Sequence, residues 1–255
     1  MIWFTSDHHF GHGRIVGYCG RPWWRPALPE ELEPGHHLAK VARVHSRVSP
    51  KKKLGELGGL QETHYYKVPD VAVMEDELVT RWNERVAPGD TVYHLGDFAW
   101  WHLGVDEVAR IRARLNGEIL LVRGNHDQEQ KAARGSGEKP LTAAVREVFG
   151  EAPHARLVGI GERWVLLYHY GPRSWGGSAA AKKHASRLLD VDQSGSARLL
   201  LHGHSHCKNG AVVGGPWTWG RHSPIPTVDM SVEGWDYAPA SFDEILARVN
   251  KGGSA

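Results

Sequence analysis

The amino-acid sequence has only two cysteines, three methionines and little net charge, and no apolar run approaches the ~20 residues of a membrane span. Cys19 and Cys207 are too few for the disulfide framework of a small secreted protein, which favours a reduced, cytoplasmic setting. The formal net charge is +2 with histidine neutral, so the chain as a whole is drawn neither to nucleic acid nor to a membrane surface.

Histidine and tryptophan, by contrast, are abundant, with 17 and 11 residues. The length of 255 residues and the hydrophobic content of 41% predict one α/β domain over residues 1–255. Residues 24–72 mix proline, glycine and charge without a sustained period, which indicates an insertion with one helix near residues 36–48. Residues 40–53 hold six lysines or arginines and no acid, either as a solvated face or as an arm for a nucleic-acid backbone.

Five short apolar runs end in Asp, Asn or His side chains. They read "MIWFTSDHH", "DTVYHLGD", "EILLVRGNHD", "RWVLLYH" and "LLLHGHSH". Such runs are typical of buried strands, and their alternation with helical patterns predicts a single doubly wound sheet. Because ligands bind beyond the carboxyl ends of parallel strands, the polar groups at these ends are candidates for one site.

The strand ends supply four imidazoles, two carboxylates and one amide. These groups are His9, His169, His204, His206, Asp7, Asp97 and Asn125. Neutral nitrogen donors combined with oxygen donors, without a thiolate, suit first-row divalent ions rather than a cysteine-type zinc site. Seven protein ligands exceed what one ion takes, so we expect two ions, and phosphoester hydrolysis is the leading reaction at a two-metal site. Because the candidates begin at Asp7, we expect no cleaved leader.

The ordered motifs carry a resemblance to a known family. D-x-H, GD, GNHD, a lone histidine and GHxH follow one another between residues 7 and 206, and this set resembles the calcineurin-like metallophosphoesterase superfamily. The stretch "DHHFGHGRI" is similar to a bacterial and phage-like subgroup of phosphoesterases. The resemblance implies a four-layered α/β/β/α sandwich and a centre of two divalent ions, with Mn, Fe, Zn or Ni as candidates.

The resemblance also implies a role for each site residue. Asp97 bridges the two ions, and the other ligands bind one ion each, in the sets Asp7, His9, His206 and Asn125, His169, His204. His126 acts as the general acid or stabilises charge in the transition state. Apart from the resemblance, Asp127 is expected to orient a neighbouring loop or ligand histidine. The family often has Asp or Asn three residues after the GD aspartate, whereas this chain has Trp100 there.

The substrate side of the site is predicted more coarsely. His12, Arg14 and Arg123 are candidate contacts to the phosphate, because arginine matches phosphate oxygens with two hydrogen bonds. The leading hypothesis is hydrolysis of phosphodiesters, such as small nucleotides or single-stranded nucleic-acid ends, by metal-bound hydroxide. The alternatives are a broad phosphomonoesterase, a nuclease, and a non-catalytic metal-binding scaffold.

Overall fold

The computed structural model describes residues 1–33, 36, 43–44, 66–130, 139–172, 178–206 and 225–252. The chain divides into two compact units: unit 1 comprises Met1–His9 and Leu78–Ala255, and unit 2 comprises Phe10–Glu77. The predicted insertion at residues 24–72 falls within unit 2. Its assignment as an insertion in a single domain over residues 1–255 stays a prediction.

The first sheet of unit 1 has four strands in the order β11-β1-β5-β6. They are β1 (Ile2–Thr5), β5 (Thr91–His94), β6 (Glu118–Leu121) and β11 (Ala240–Ser241). The three longer strands are parallel, and β11 runs antiparallel to β1. The carboxyl ends of β1, β5 and β6 therefore lie at the same edge, as the apolar runs predict.

The second sheet of unit 1 also has four strands, in the order β10-β9-β8-β7. They are β7 (Ala155–Ile160), β8 (Arg163–Tyr170), β9 (Ala197–Gly203) and β10 (Thr227–Asp229). β8, β9 and β10 are parallel, whereas β7 and β8 form an antiparallel hairpin. The hairpin turns at Gly161, where a φ of +58° requires the left-handed region that glycine tolerates.

One hydrophobic core joins the two sheets. Phe4 from the first sheet and Leu167 and Leu201 from the second are fully buried members of this core. A second core lies around Leu166 and Leu200, alternate residues of the same strands, and includes Leu188 of the following helix. Both faces of β8 and β9 are thus buried, which explains why these strands read as continuous apolar runs.

Helices flank the two sheets of unit 1. They are α3 (Val105–Ala113), α4 (Ala143–Phe149), α5 (Ser178–Val191) and α6 (Phe242–Gly252), and α2 (Val71–Asn83) crosses from unit 2 into unit 1. α3 packs against α4, which contacts β6, while α5 packs against β7 and β8 and α6 against β1 and β11. As predicted, Ser241 caps α6, since its Oγ accepts the N–H of Glu244 at 3.3 Å.

The fold is thus α/β, with two mixed sheets flanked by helices, and agrees with the four-layered arrangement that the resemblance implies. The expectation of a single doubly wound sheet is wrong. The strand–helix alternation is real, but pairing is interrupted after β6, and β7 starts a new sheet through its hairpin with β8.

Unit 2 contains a small sheet of three strands in the order β2-β4-β3. Its elements are α1 (Gly13–Tyr18), β2 (Trp24–Pro26), a 3-10 helix (Pro29–Leu32), β3 (Arg43–Val44) and β4 (Tyr66–Pro69). The prediction of a helix near residues 36–48 is wrong at Arg43–Val44, because these two residues pair with β4 as a strand. The rest of that helix and most of the basic stretch 40–53 lie outside the described residues.

Among the described residues, no helix combines the length and the apolarity that crossing a membrane requires.

Candidate metal centre

The ends of five strands, three in the first sheet and two in the second, bring the predicted ligands together in unit 1. Asp7 and His9 follow β1, Asp97 follows β5, Asn125 follows β6, His169 lies near the end of β8, and His204 and His206 follow β9. The neighbouring strand ends meet at one edge of each sheet, and the shared core holds the two sheets together. The residues that the sequence spreads over 200 positions thereby meet in one region.

The backbone at this region is strained in a way that is rare elsewhere in the structure. Among the described residues, seven non-glycine residues have positive φ, and five of them are predicted ligands: Asp7, His9, Asp97, His204 and His206. Their φ values lie between +49° and +70°, a left-handed conformation that L-residues seldom adopt. Strain of this kind persists only where surrounding contacts over-determine it, and it concentrates at functional sites.

Glycines let the ligand loops approach one another. A Cβ added to Gly124 would lie 2.2 Å from Oδ1 of Asp97, and one added to Gly203 would lie 2.3 Å from Oδ2 of Asp7. Gly96 has a φ of +99° and would place a Cβ 2.7 Å from Nδ1 of His169. Each of these positions therefore excludes a side chain because a ligand carboxylate or imidazole occupies the space.

Two clusters of donor atoms result, each with its ligand atoms within 4.8 Å of one another. The first cluster is Asp7, His9 and His206, and the second cluster is Asp97, His169 and His204. A further group of His9, Asp97 and His126 meets the same criterion and connects the two clusters. The first cluster has the same members as one ligand set that the resemblance implies, and the second contains His169 and His204 of the other set together with Asp97.

The two carboxylate oxygens of Asp7 have different surroundings. Oδ2 accepts the backbone N–H of His204 at 2.9 Å and lies 3.0 Å from the hydroxyl of Ser231. Oδ1 instead lies 3.5 Å from Nε2 of His206 and 3.7 Å from Nε2 of His9. Burial raises the pKa of Asp7, but the nearby His206 and His9 outweigh it and hold the pKa well below its usual value. The ionised form that can bind a cation is thus favoured.

Asp97 divides its oxygens in the same manner. Oδ1 accepts the backbone N–H of His126 at 2.7 Å. Oδ2 lies 3.5 Å from Nε2 of His9 and 3.6 Å from Nε2 of His169, and so faces a donor from each cluster. Burial raises the pKa of Asp97 to about 7, with His169 opposing that rise. A cation held against Oδ2 would offset the cost of ionising this buried carboxylate.

The second cluster also fits a cation through His169 and Asn125. Nδ1 of His169 lies 2.8 Å from the backbone carbonyl of Leu95, which accepts its hydrogen and, in the neutral ring, leaves the lone pair on Nε2. That Nε2 lies 3.0 Å from Oδ1 of Asn125. Burial lowers the pKa of His169, but Asp97 and Asp7 outweigh it and raise the pKa, so the protonated ring can donate from Nε2 to this oxygen, where a cation would replace the hydrogen. Imidazole and oxygen donors at this spacing are ligands that divalent ions take.

His126 lies beside both clusters. Its ring centroid is 4.9 Å from that of His9 and 5.1 Å from that of Trp100. Burial, with a contribution from His169, lowers the pKa of His126 to about 4, and burial likewise lowers the pKa of His204 to about 4. Neutral imidazoles are the forms that ligate metals or donate a single N–H.

Asp127 binds the backbone of two ligand loops. Its Oδ2 accepts the N–H of Asp97 at 2.8 Å and the N–H of Gly124 at 2.7 Å, and its Oδ1 accepts the N–H of Phe98 at 3.1 Å. This fully buried carboxylate therefore fixes the loop after β5 against the loop after β6. The GNHD motif thus includes a residue that holds the neighbouring loops in place.

Of the three predicted substrate contacts, Arg123 lies in unit 1 and His12 and Arg14 lie in unit 2. Nε of Arg123 donates to the carbonyl of Ala152 at 2.5 Å, which anchors this side chain next to the Asn125 loop. His12 and Arg14 belong to unit 2, where the buried His12 precedes α1 and its carbonyl accepts the N–H of Ile15 at 3.0 Å. Their roles as phosphate contacts stay predictions.

A cavity of about 380 Å³ lies next to the His126 region. Trp101, Leu103 and the first residues of α4 line it, together with Glu129 and Gln130. Two contacts connect it to the site: the ring of Trp101 lies 5.7 Å from that of Trp100, tilted by 56°, and Gln130 donates to the carbonyl of Asn125 at 2.6 Å. No sequence motif pointed to this cavity, because its lining comes from three segments that are separated along the chain.

The fold and the paired donor clusters define a metallophosphoesterase-like centre, and comparison with known proteins agrees. The family model for the calcineurin-like phosphoesterase superfamily domain matches residues 63–219, more than half of the chain. The chain belongs to this superfamily. The matched region includes Asp97 and the ligands that follow it, whereas Asp7 and His9 precede it.

Individual relatives are distant. An uncharacterized protein of Methanocaldococcus jannaschii is 23% identical over 251 residues, which cover 98% of this chain and 92% of that protein. The crystal structure of a protein of unknown function from Aquifex aeolicus superposes with a TM-score of 0.53 at 22% identity, covering 97% of this chain and 98% of that one. A novel archaeal phosphodiesterase gives a TM-score of 0.34 at 16% identity, covering 63% and 78% of the two chains. The Aquifex structure supports the fold, and none of these likenesses transfers an activity.

Proposed function

We propose that this protein is a dinuclear metal-dependent phosphoesterase that hydrolyses phosphodiesters. One observation carries the proposal: Oδ2 of Asp97 faces His9 on one side and His169 on the other, at 3.5 and 3.6 Å. A buried carboxylate placed between two donor clusters is what two neighbouring cations require.

The proposed ligands form two sets, one for each ion. Asp7, His9 and His206 would hold one divalent ion, and Asn125, His169 and His204 the other, with Asp97 shared. When bound, such ions lower the pKa of a water nucleophile and neutralise charge that develops on phosphorus oxygens. The donor set suits Mn, Fe, Zn or Ni.

His126 is the candidate for moving a proton or donating to the phosphoryl group. Its imidazole lies beside His9 while its backbone N–H is engaged with Asp97, so the side chain is placed without taking a ligand position. A donor at this position would reach the leaving oxygen or a phosphate oxygen, and a positioned donor of this kind contributes about 10²- to 10⁴-fold to rate.

The cavity beside Trp101 favours a diester over a simple monoester. A diester carries a second organic group, and a partly apolar cavity next to the site offers that group a place to bind. Glu129 at this cavity disfavours a second phosphate by like-charge repulsion. Small nucleotides and single-stranded nucleic-acid ends are substrates with a planar base that meets both conditions.

Hydrolysis by metal-stripped and metal-reloaded protein tests the proposal. Purified full-length protein is treated with a chelator, titrated with Mn²⁺, and assayed on bis-p-nitrophenyl phosphate and p-nitrophenyl phosphate. Asp97→Asn is compared with Asp192→Asn, which changes a buried carboxylate that caps the start of β9.

We expect the wild type and Asp192→Asn to bind two ions per chain and to prefer the diester, and Asp97→Asn to lose the second ion together with hydrolysis. If two ions bound and neither ester were hydrolysed, the assignment as an enzyme would be contradicted and the alternative of a metal-binding scaffold would be favoured. Preference for the monoester would contradict the diester assignment alone.

A further inference from the structure

The short segment Asp229–Glu233 lies against the first cluster and belongs to none of the motifs. It runs from the end of β10 into a 3-10 helix over Val232–Gly234 and follows the matched family region. Its alternate residues Asp229, Ser231 and Glu233 are buried. We infer that these three side chains are positioning residues that set the metal affinity of the first cluster; the inference rests on the proposed function of that cluster.

Ser231 connects three parts of the site through one hydroxyl. Oγ of Ser231 lies 3.0 Å from Oδ2 of Asp7 and accepts the backbone N–H of His206 at 3.2 Å. It therefore touches one ligand through its carboxylate and another through its backbone. Because the Asp7 contact uses Oδ2, it turns Oδ1 toward the imidazoles of His206 and His9.

Asp229 fixes Ser231 in turn. Its Oδ1 accepts the N–H of Ser231 at 2.8 Å and lies 2.6 Å from the same hydroxyl. The carbonyl of Asp229 accepts the indole N–H of Trp235 at 2.8 Å, so both the side chain and the backbone of Asp229 form hydrogen bonds that hold the segment. The hydroxyl has a single hydrogen that can donate to either carboxylate, which makes Asp229, Ser231 and Asp7 one connected unit.

Glu233 acts on the other ligand. Its Oε1 lies 3.0 Å from Nδ1 of His206, while Nε2 of the same ring faces Oδ1 of Asp7. A carboxylate at Nδ1 attracts the ring hydrogen to that nitrogen and leaves the lone pair on Nε2 for a metal. The side chain of Glu233 is only 1% exposed, so this contact is protected from water.

Within the part of the chain that the structure describes, the second cluster lacks a comparable side-chain contact at Nδ1 of His169. There a backbone carbonyl, that of Leu95, takes the place that Glu233 occupies at His206. The side chains of Asp229, Ser231 and Glu233 contact the first cluster through Asp7 and His206, and neither of these residues belongs to the second. The one connection onward is the hydrogen bond from the backbone N–H of His204 to Oδ2 of Asp7, whose donor and acceptor both stay in place when the segment is changed. Changes in the segment should therefore affect one ion and spare the other.

Calorimetric titration of the full-length, metal-stripped protein with Zn²⁺ tests this selectivity. The variants are Ser231→Ala, Glu233→Ala and the conservative Glu233→Gln, whose amide keeps an oxygen of similar size and position facing Nδ1 of His206. Asp192→Asn is the matched control, because it alters a buried carboxylate at the opposite end of β9, roughly 20 Å along the strand from His204. The unfolding midpoint of each metal-free variant is measured in parallel.

We expect wild-type protein to show two binding events. Ser231→Ala and Glu233→Ala should weaken one of them by about 10- to 100-fold and leave the other unchanged, with partial recovery in Glu233→Gln. Asp192→Asn should lower the unfolding midpoint without changing either affinity.

Equal weakening of both events, or wild-type affinities in all the variants, would overturn the inference while leaving the proposed function intact. Absence of Zn²⁺ binding by the wild type would instead overturn the proposed function. A loss of affinity that follows the unfolding midpoint across all variants, the control included, would show a structural role and would also overturn the inference.

Discussion

The backbone N–H of His126 donates a 2.7 Å hydrogen bond to Oδ1 of Asp97, so the main chain of the candidate proton donor holds the candidate bridging carboxylate. The imidazole of His126 is not needed for that bond. A change of the side chain alone therefore removes the candidate proton donor while the backbone N–H of residue 126 still binds Asp97.

The first prediction uses this separation. His126→Ala keeps the N–H that binds Asp97, and we expect it to retain both ions while kcat for bis-p-nitrophenyl phosphate falls by about 10²- to 10⁴-fold. Metal content by elemental analysis and kcat under saturating Mn²⁺ check it. Loss of an ion in this variant would mean that the side chain supports the metal, and an unchanged kcat would remove His126 from the reaction.

The second prediction concerns the close approach of Gly124 to Asp97. Gly124→Ala would place its Cβ 2.2 Å from Oδ1 and 2.5 Å from the backbone nitrogen of Asp97, and neither atom can move without breaking a hydrogen bond. We expect a loss of about 1–3 kcal/mol in the free energy of unfolding, together with loss of the shared ion. Urea unfolding and metal titration measure both.

Gly89→Ala is the matched control for this substitution. A Cβ at Gly89 meets nothing within 4 Å, so we expect a change of less than about 1 kcal/mol and wild-type metal binding. If Gly124→Ala behaved like Gly89→Ala, the tight contact between the two ligand loops would not be required.

The third prediction concerns acid stability at Asp90. Hydrogen bonds from the amino terminus of Met1, from the N–H of Ala87 and from the indole of Trp3 lower the pKa of Asp90 to about 2. Because the folded pKa lies below the ordinary ~3.9, the ionised carboxylate stabilises the folded state above about pH 4, and this contribution is lost between about pH 4 and pH 2.

Asp90→Asn should therefore be less stable than the wild type at about pH 7, and the difference should shrink as the pH falls through that window. Urea midpoints at about pH 7, 4 and 2.5 measure it, with Asp190→Asn, at an exposed position of α5, as the control. A stability difference that stays constant with pH would contradict the assigned cause.

Local sequence patterns predicted the strands that carry the candidate ligands, because each of these strands contains an apolar run and the polar residues lie at or just beyond its end. That these residues bind metal stays a prediction. They did not predict two sheets, since the choice of strand partners depends on contacts distant in sequence, such as the hairpin of β7 with β8. Ser231 and Glu233 were missed for a related reason. They lie 25 and 27 residues beyond His206, and nothing in their neighbourhood distinguishes them from ordinary polar residues.

The structure was also needed to distinguish the candidate metal ligands from other histidines in the same motifs. His8 and His94 flank ligands in sequence, yet their rings pair with each other at 3.0 Å between Nδ1 and Nε2, fully buried. Nδ1 of His94 accepts the N–H of Gly96 at 3.2 Å, which places the ring hydrogen on Nε2 and directs it to His8. Asp7 and His9 lie beyond the end of β1 with left-handed backbone, so the alternation of strand side chains does not predict where they point, and the structure separates them from His8.

The last prediction concerns substrate choice at the cavity beside Trp101. The ring of Trp101 lines the cavity and contacts Trp100, whose own ring lies 5.1 Å from His126. If the second organic group of a diester binds there, Trp101→Ala removes one aromatic contact, worth about 0.5–1.5 kcal/mol, or a two- to twelve-fold rise in KM. The rise should appear with bis-p-nitrophenyl phosphate and be absent with p-nitrophenyl phosphate, which lacks a second group.

Trp164→Ala, which removes a tryptophan that is 47% exposed in β8, is the control and should change neither KM value. Equal rises for both esters would place Trp101 in support of the catalytic residues, and no change would separate the cavity from the substrate.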